Sequence, residues 1–322
     1  MEAVLLDKKG DVLDKGEAVL VYRHPISRQG WACDELVSLF QKAVRRGERE
    51  VALAAFAEVA VMAELFPDGA QAKALRTQAV NRISVTAMED VGVANPALVL
   101  AVLEACLPLT ARTSRRAPFS WATTAACIEA LCASRKTRVQ SWLYHAYGAA
   151  ENAEAAREEG LAVRRLALDD AAALAQVPLS DANCFQCIGD AAALETLWRR
   201  LQSSAAAWPR LVRLLGLARK QLSASSQRAC IALALALQHY GLLDEEAAAA
   251  LPLASVEVVR RLRCGEYEVR MLEGAVDKHT AAGRAQGKTT RDFRREGTRV
   301  APEDKRFKDP RLEELYLNSK RV

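Results

Sequence analysis

DELVSLFQKAVRRGEREVALAAFAEV, residues 34–59, and LRTQAVNRISVTAMEDVGVANPAL, residues 75–98, decide the fold. In the first run Leu36, Leu39, Phe40, Ala43 and Val44 recur at spacings of three, one, three and one, which places them on one face of a helix. Lys42, Arg45 and Arg46 close that helix ahead of Gly47. Cations complement the carbonyl end of the helix dipole, and glycine accepts the left-handed cap. Ala52, Ala55, Phe56, Val59 and Ala63 form a second apolar stripe. Leu75, Ala79, Val80, Ile83, Ala87, Met88 and Val91 form a third, which stops at Gly92. Asn95-Pro96 then offers an N-cap and a first-turn proline to a fourth helix.

The composition extends this pattern to the whole chain. Of 322 residues 51% are apolar but only 6% aromatic, with Ala and Leu dominant. Alanine has the highest helix propensity, so the expected class is all-α: a multi-helix bundle or stacked helix pairs. The length suffices for one large core or two smaller ones. Residues 278–322 hold thirteen Lys/Arg against seven Asp/Glu, a net +6, which leaves the rest of the chain at −1 of the formal +5. A cationic end on a neutral body points to an anionic partner. The eight cysteines lie mostly inside apolar helical runs and read as small core residues. Cys184 and Cys187 form a lone CxxC, short of the four ligands that structural zinc takes. No metal or cofactor is therefore expected. Asp7, Lys8 and Lys9 interrupt any apolar leader, and no apolar run approaches the roughly 18 residues needed to span a bilayer. A soluble, intracellular protein without membrane contact is expected.

Four segments follow from composition. Residues 1–30 read as a small hairpin or arm, 31–179 as a helical domain, 180–276 as a second helical half, and 277–322 as a basic, glycine-containing tail. Within them the pattern predicts a short helix from 96 ended by Pro108, a polar linker over 110–118, and a helix over 119–133. A charged surface helix is expected over 151–165. Further amphipathic helices are expected over 191–202, 208–222, 226–240, 244–251 and 255–263, and another over 267–282.

Two blocks of the opening stretch carry a resemblance. Ser38 to Gly47, with Ala52 and Leu53 after it, is similar to the opening of the helical domain C-terminal to the ATPase core in clamp-loader-like AAA+ proteins of the MgsA/RarA type. Asn81-Arg82-Ile83 through Glu89-Asp90-Val91-Gly92 to Pro96 resembles that family's acidic "EDxG" block, and Ser134–Ser141 matches it loosely. Asp277, His279, Thr280, Gly283, Gly287, Phe293, Glu296 and Gly297 hold the places of an ending found in stand-alone, often phage or viral, relatives of that domain. The resemblance implies DNA replication, recombination or repair as context, and an oligomerising module. It does not bring the ATPase. Gly287-Lys288-Thr289 lacks the glycine five positions earlier, where Ala282 stands, and it lacks the preceding strand of a phosphate loop.

Candidate contacts to nucleic acid or a partner are the helix-end cations Lys42, Arg45 and Arg46, the cluster Arg135, Lys136 and Arg138 ahead of Trp142, Tyr144 and Tyr147, and the tail cations Arg284, Lys288, Arg291, Arg294 and Arg295. Charge for the backbone and rings for the bases is the pattern of single-strand binders, and equally that of an amphipathic helix end. Arg82, Glu89, Asp90 and Gly92 read as a structural network, with Arg82 two turns before Glu89 on one helix face; Asp277 and His279 read as mutually orienting. No catalytic constellation is visible. The expected function is a non-enzymatic module that oligomerises or docks on DNA, or on a separate AAA+ ATPase or replication protein. The alternative is an all-α scaffold that binds an acidic protein.

Overall fold

The computed structural model describes residues 26–65, 69–110, 117–148, 152–203, 209–221, 224–242 and 251–318. The expected N-terminal arm lies almost wholly outside these residues, as do the helix expected over 244–251 and most of the 110–118 linker. The chain is all-helical. Among the described residues there is no β-sheet, only isolated bridges pairing Ile26 with Ala32 and Lys136 with Glu303.

The opening stretch folds as its periodicity predicts, into α1 (Cys33–Arg46), α2 (Arg49–Leu65) and α3 (Gly69–Thr86). Each packs on the next. Gly47 takes φ +72° at the end of α1, and Glu48 N–H returns to the Ala43 carbonyl at 2.9 Å. The third helix widens into a π turn at Ala87–Val91, then tightens into a 3-10 turn at Gly92–Ala94. Asn95 Oδ1 accepts from Leu98 N–H at 3.1 Å and starts α4 (Pro96–Thr110). That helix is apolar apart from Thr110 and partly exposed Glu104, and it packs against α3 on one side. Pro108 does not end it, contrary to expectation. A proline removes only its own N–H, and burial of Leu107, Leu109 and Thr110 keeps the last turn wound.

Next come α5 (Trp121–Ala133), capped by Ser120 Oγ, and α6 (Val139–Leu143), which runs into a second π turn at Tyr144–Gly148. α7 (Ala153–Glu158) is far shorter than the helix expected over 151–165. Past Gly160 the chain is extended instead, held like a strand by amide side chains. Arg164 N–H donates to Asn183 Oδ1 at 2.9 Å and Leu166 N–H to Gln186 Oε1 at 3.1 Å. α8 (Ala171–Gln176) and a 3-10 segment (Ala182–Gly189) lead to α9 (Ala191–Ser203), α10 (Pro209–Gln221), α11 (Ala224–His239) and α12 (Val256–Cys264). These last four match the expected spans to within about two residues, the usual latitude of helix ends. One apolar core runs from Cys33 through α9, α10 and α11 to Tyr316, and α10 packs directly on α4.

The helix expected over 267–282 is absent, because its backbone hydrogen bonds go elsewhere. Gln29 Nε2 donates to the Tyr267 carbonyl at 3.1 Å, and Val269 N–H donates to Gln29 Oε1 at 3.0 Å. Only α13 (Ala281–Ala285), α14 (Thr290–Asp292), a π turn at Phe293–Gly297, a short 3-10 turn at Lys305–Phe307 and α15 (Pro310–Asn318) are helical in the last fifty residues described. The basic C-terminal segment is not a solvated arm. It straps across α1, α6 and the second π turn, and Lys136 N–H donates to the Pro302 carbonyl at 2.9 Å while Asp304 N–H donates to that of Lys136 at 2.8 Å.

Candidate functional site

Asp90 is the hub. It is fully buried, and its Oδ1 accepts from Arg45 Nε at 2.7 Å and from an Arg138 Nη1 at 2.8 Å. Arg45 carries the connection onward, since its Nη1 donates to the Gly297 carbonyl at 2.7 Å and its own carbonyl accepts from Ala301 N–H at 2.7 Å. One carboxylate thus ties α1, the π turn, the start of α6 and the C-terminal strap. Adjacent Glu89 faces the other way, with both guanidinium groups only at 4.0 Å. Its side chain keeps 32% exposure, yet the surrounding protein is dense enough that burial pushes its carboxyl upward, with Arg138 opposing.

The expected Arg82–Glu89 interaction is a longer-range one, in which the Arg82 charge favours the ionised Glu89 carboxylate. The residues line one cavity, but among the described residues Arg82 makes no ion pair. A π turn advances fewer degrees per residue than an α turn, so seven residues no longer return to the same face. Gly92 has a specific reason to be glycine. With φ +46°, a Cβ there would stand 2.5 Å from Gln140 Nε2. That nitrogen donates to the Met88 and Glu89 carbonyls at 2.9 and 2.7 Å, serving acceptors at the disturbed helix end.

A second cluster joins the strap to α1. Lys42, 2% exposed, donates to Ser38 Oγ at 2.6 Å and forms an ion pair with Asp277 Oδ2. It also lies 5.3 Å from the Phe293 ring centre. Asp277 Oδ1 accepts from His279 N–H at 2.8 Å and faces His279 Nδ1 at 3.2 Å. Burial, then neighbouring Arg45, pushes the Lys42 amine down to about 8, with Asp277 pulling the other way. Burial of Asp277 opposes its ionisation, but the hydrogen bonds from His279 and the Lys42 charge hold its carboxyl well below the usual range. A carboxylate lowered on folding stabilises the fold fully above its unfolded value of 3.8, and that contribution fades as the pH falls below it. Denaturant midpoints are therefore expected to drop steeply below that pH in the native protein and less steeply in Asp277→Asn. Equal slopes would show that this carboxylate is not a stabilising group.

Around these clusters α1, α3, α6, α11, the first two π turns and the strap line an open cavity of about 660 Å3. Cations dominate its wall: Lys42, Arg45, Arg82, Arg138 and Arg228, against Asp34 and Glu89. Arg228 on α11, like Arg82, makes no ion pair among the described residues. Aromatic groups form another part of the wall, with His145 edge-on to Tyr316 at 4.7 Å and His279 edge-on to Phe293 at 4.9 Å. Arg138 Nε, Gln140 Oε1 and Asp90 Oδ2 are buried without a hydrogen-bond partner among the described residues.

The remaining sequence candidates divide by exposure. Arg46 is half-buried and donates to the Glu296 carbonyl at 2.7 Å. Lys136 is fully buried, its Nζ donating to the Cys132 and Ser134 carbonyls at the end of α5, so it caps a helix and cannot reach a phosphate. Arg294 is buried against the Tyr316 ring at 5.4 Å. Lys288 pairs with Glu296 at 3.0 Å. Arg135, Arg284, Arg291 and Arg295 are exposed. Sequence reasoning misses Arg228 and Tyr316, which lie far from the quoted blocks and meet them only through packing, and it gives no role to Gln140 or His145, which lie in or beside the Ser134–Ser141 block. Burial pushes the Cys184 and Cys187 thiols up to about 12 and about 11, which keeps them protonated. Among the described residues no group of three or more His, Cys, Asp or Glu could hold a metal ion, and no helix is long and apolar enough to cross a membrane. Compared with known proteins, the chain matches no family model, no curated protein and no solved structure.

Proposed function

We propose that this chain is a non-enzymatic helical module that binds phosphate-bearing partners, DNA first among them, in replication, recombination or repair. The observation that supports it is the cavity wall, where five cations face two acids. A concave cationic surface with low-dielectric walls concentrates anions. Exposed Arg135, Arg284, Arg291 and Arg295 supply further positive charge on the surface. The resemblance of the opening stretch and of the ending to MgsA/RarA-type helical domains supplies the DNA context. It also implies self-association and a separate AAA+ protein as the source of any nucleotide-driven motion.

Fluorescence anisotropy with single- and double-stranded DNA across a salt series tests this. Log affinity is expected to fall linearly with log salt. The slope should shrink by about one for each phosphate that Arg82→Ala or Arg228→Ala ceases to engage. Deleting residues 278–322 is not an equivalent test, because the strap carries part of the core. DNA binding that is absent at low salt, or that does not change with salt, overturns the proposal. Light scattering after size exclusion checks the oligomer, which a strict monomer at high concentration would rule out.

A further inference from the structure

We infer that the cavity between α1, α3, α11 and the strap is a pocket for a single nucleotide carrying a terminal phosphate monoester. This rests on the phosphate-binding reading above and narrows it from a surface to a site.

Size comes first. Small-ligand pockets run from about 300 to 1,000 Å3, and 660 Å3 falls inside that range. A space of this volume is about 9 Å across if equal-sided, the scale of one nucleotide.

Charge comes second. Arg45 and Arg138 share Asp90 and stand near Glu89, while Lys42 is matched by Asp277. Asp34 is committed to the Ala281 N–H at 2.7 Å. Arg82 and Arg228 are the two lining cations that form no ion pair among the described residues. Two guanidinium groups free of ion pairs suit a monoester, which carries about −1.5 to −2 at neutral pH, better than an internal diester with one charge. Arginine also offers forked donors to phosphate oxygens.

Independent of charge, Arg138 is 5% exposed and Gln140 3%, and both line the cavity with a buried, unpartnered atom. Such atoms are costly unless something answers them. The partly exposed Tyr144 and His145 rings stand edge to face on the same wall, with buried Tyr316 behind His145, giving a base an aromatic surface.

Calorimetry on the full chain decides the matter with four probes: thymidine 5′-monophosphate, thymidine, and an oligothymidine with and without a 5′-phosphate. The monophosphate is expected to bind about tenfold or more tighter than thymidine, as for charge-assisted bonds to a dianion. Arg82→Gln and Arg228→Gln should each weaken the monophosphate by about tenfold and leave thymidine unchanged. Both positions are at least partly exposed and outside any ion pair, so unchanged thermal midpoints are expected to show that the variants stay folded. A tenfold preference for the phosphorylated oligomer identifies a strand end as the source, and preference confined to the mononucleotide identifies a free nucleotide. Thymidine binding as tightly as its monophosphate overturns the inference, as does a monophosphate affinity that neither variant moves. If the oligomers still bind with salt dependence but without regard to the end phosphate, the pocket reading fails and the DNA reading stands. If neither oligomer binds at any salt while the monophosphate does, the reverse holds.

Discussion

Asp90→Ala will destabilise the protein by about 3–5 kcal/mol, the cost of removing one partner from a buried ion pair. The magnitude comes from what is left behind. The Arg45 and Arg138 side chains are 3% and 6% exposed, and both lose their closest carboxylate oxygen. Glu89, at 4.0 Å from each, replaces it only in part. Domains are stable by about 5–15 kcal/mol in total, so a loss of this size removes a large share. Asp90→Asn keeps an acceptor but removes the charge, and should cost less, about 1–3 kcal/mol. Urea midpoints for the three proteins give the test. An alanine variant that unfolds at the native midpoint would mean that the hub holds nothing together.

The second large effect is expected at Gly283. A Cβ there would lie 1.8 Å from the Asp277 carbonyl oxygen and 2.4 Å from its carbon. The obstacle is backbone and alanine has no rotamer to choose, so the turn from 277 to 283 must open. Overpacking alone costs about 1–3 kcal/mol, and displacing Asp277 removes the counter-ion of a buried lysine as well. Gly283→Ala should expose Lys278, Arg284 and Lys288 to trypsin well before global unfolding. Gly189→Ala meets nothing within 4 Å, and its digestion pattern should match the native one. Identical patterns for all three would show that the strap does not depend on this close approach.

Legibility in the sequence follows the range of the interactions. The helices of the opening stretch are readable because their determinants are local: apolar spacing, a cationic last turn, Gly47, and Asn95 before Pro96. The later helices at 191–203 and 256–264 are readable for the same reason. Periodicity misleads over 151–165 and 267–282 because the amides of Asn183, Gln186 and Gln29 hold those segments extended from 19 to 240 residues away, and local spacing carries no record of that. The charged hub is half legible. Glu89-Asp90 stands out as a pair, and Gly92 as a stop. A local rule pairs Glu89 with Arg82, whereas the carboxylate that matters is Asp90, met by Arg45 and Arg138 at separations of 45 and 48 residues. The cationic tail illustrates the same limit. Its charge is plain from composition, but composition cannot tell that Arg294 faces Tyr316, or that Lys42 is matched from the far end of the chain.

The strap also fixes a timetable. Lys42 and Arg45 leave the ribosome early, but Asp277 and the Gly297 carbonyl that answer them emerge 235 and 252 residues later. At translation speeds of about 5–20 residues per second, the first helix waits roughly 12–50 s with these charges unanswered. Nascent α1 must spend that interval hydrated or in the care of a chaperone, and the native interior can close only once the last segment has been made.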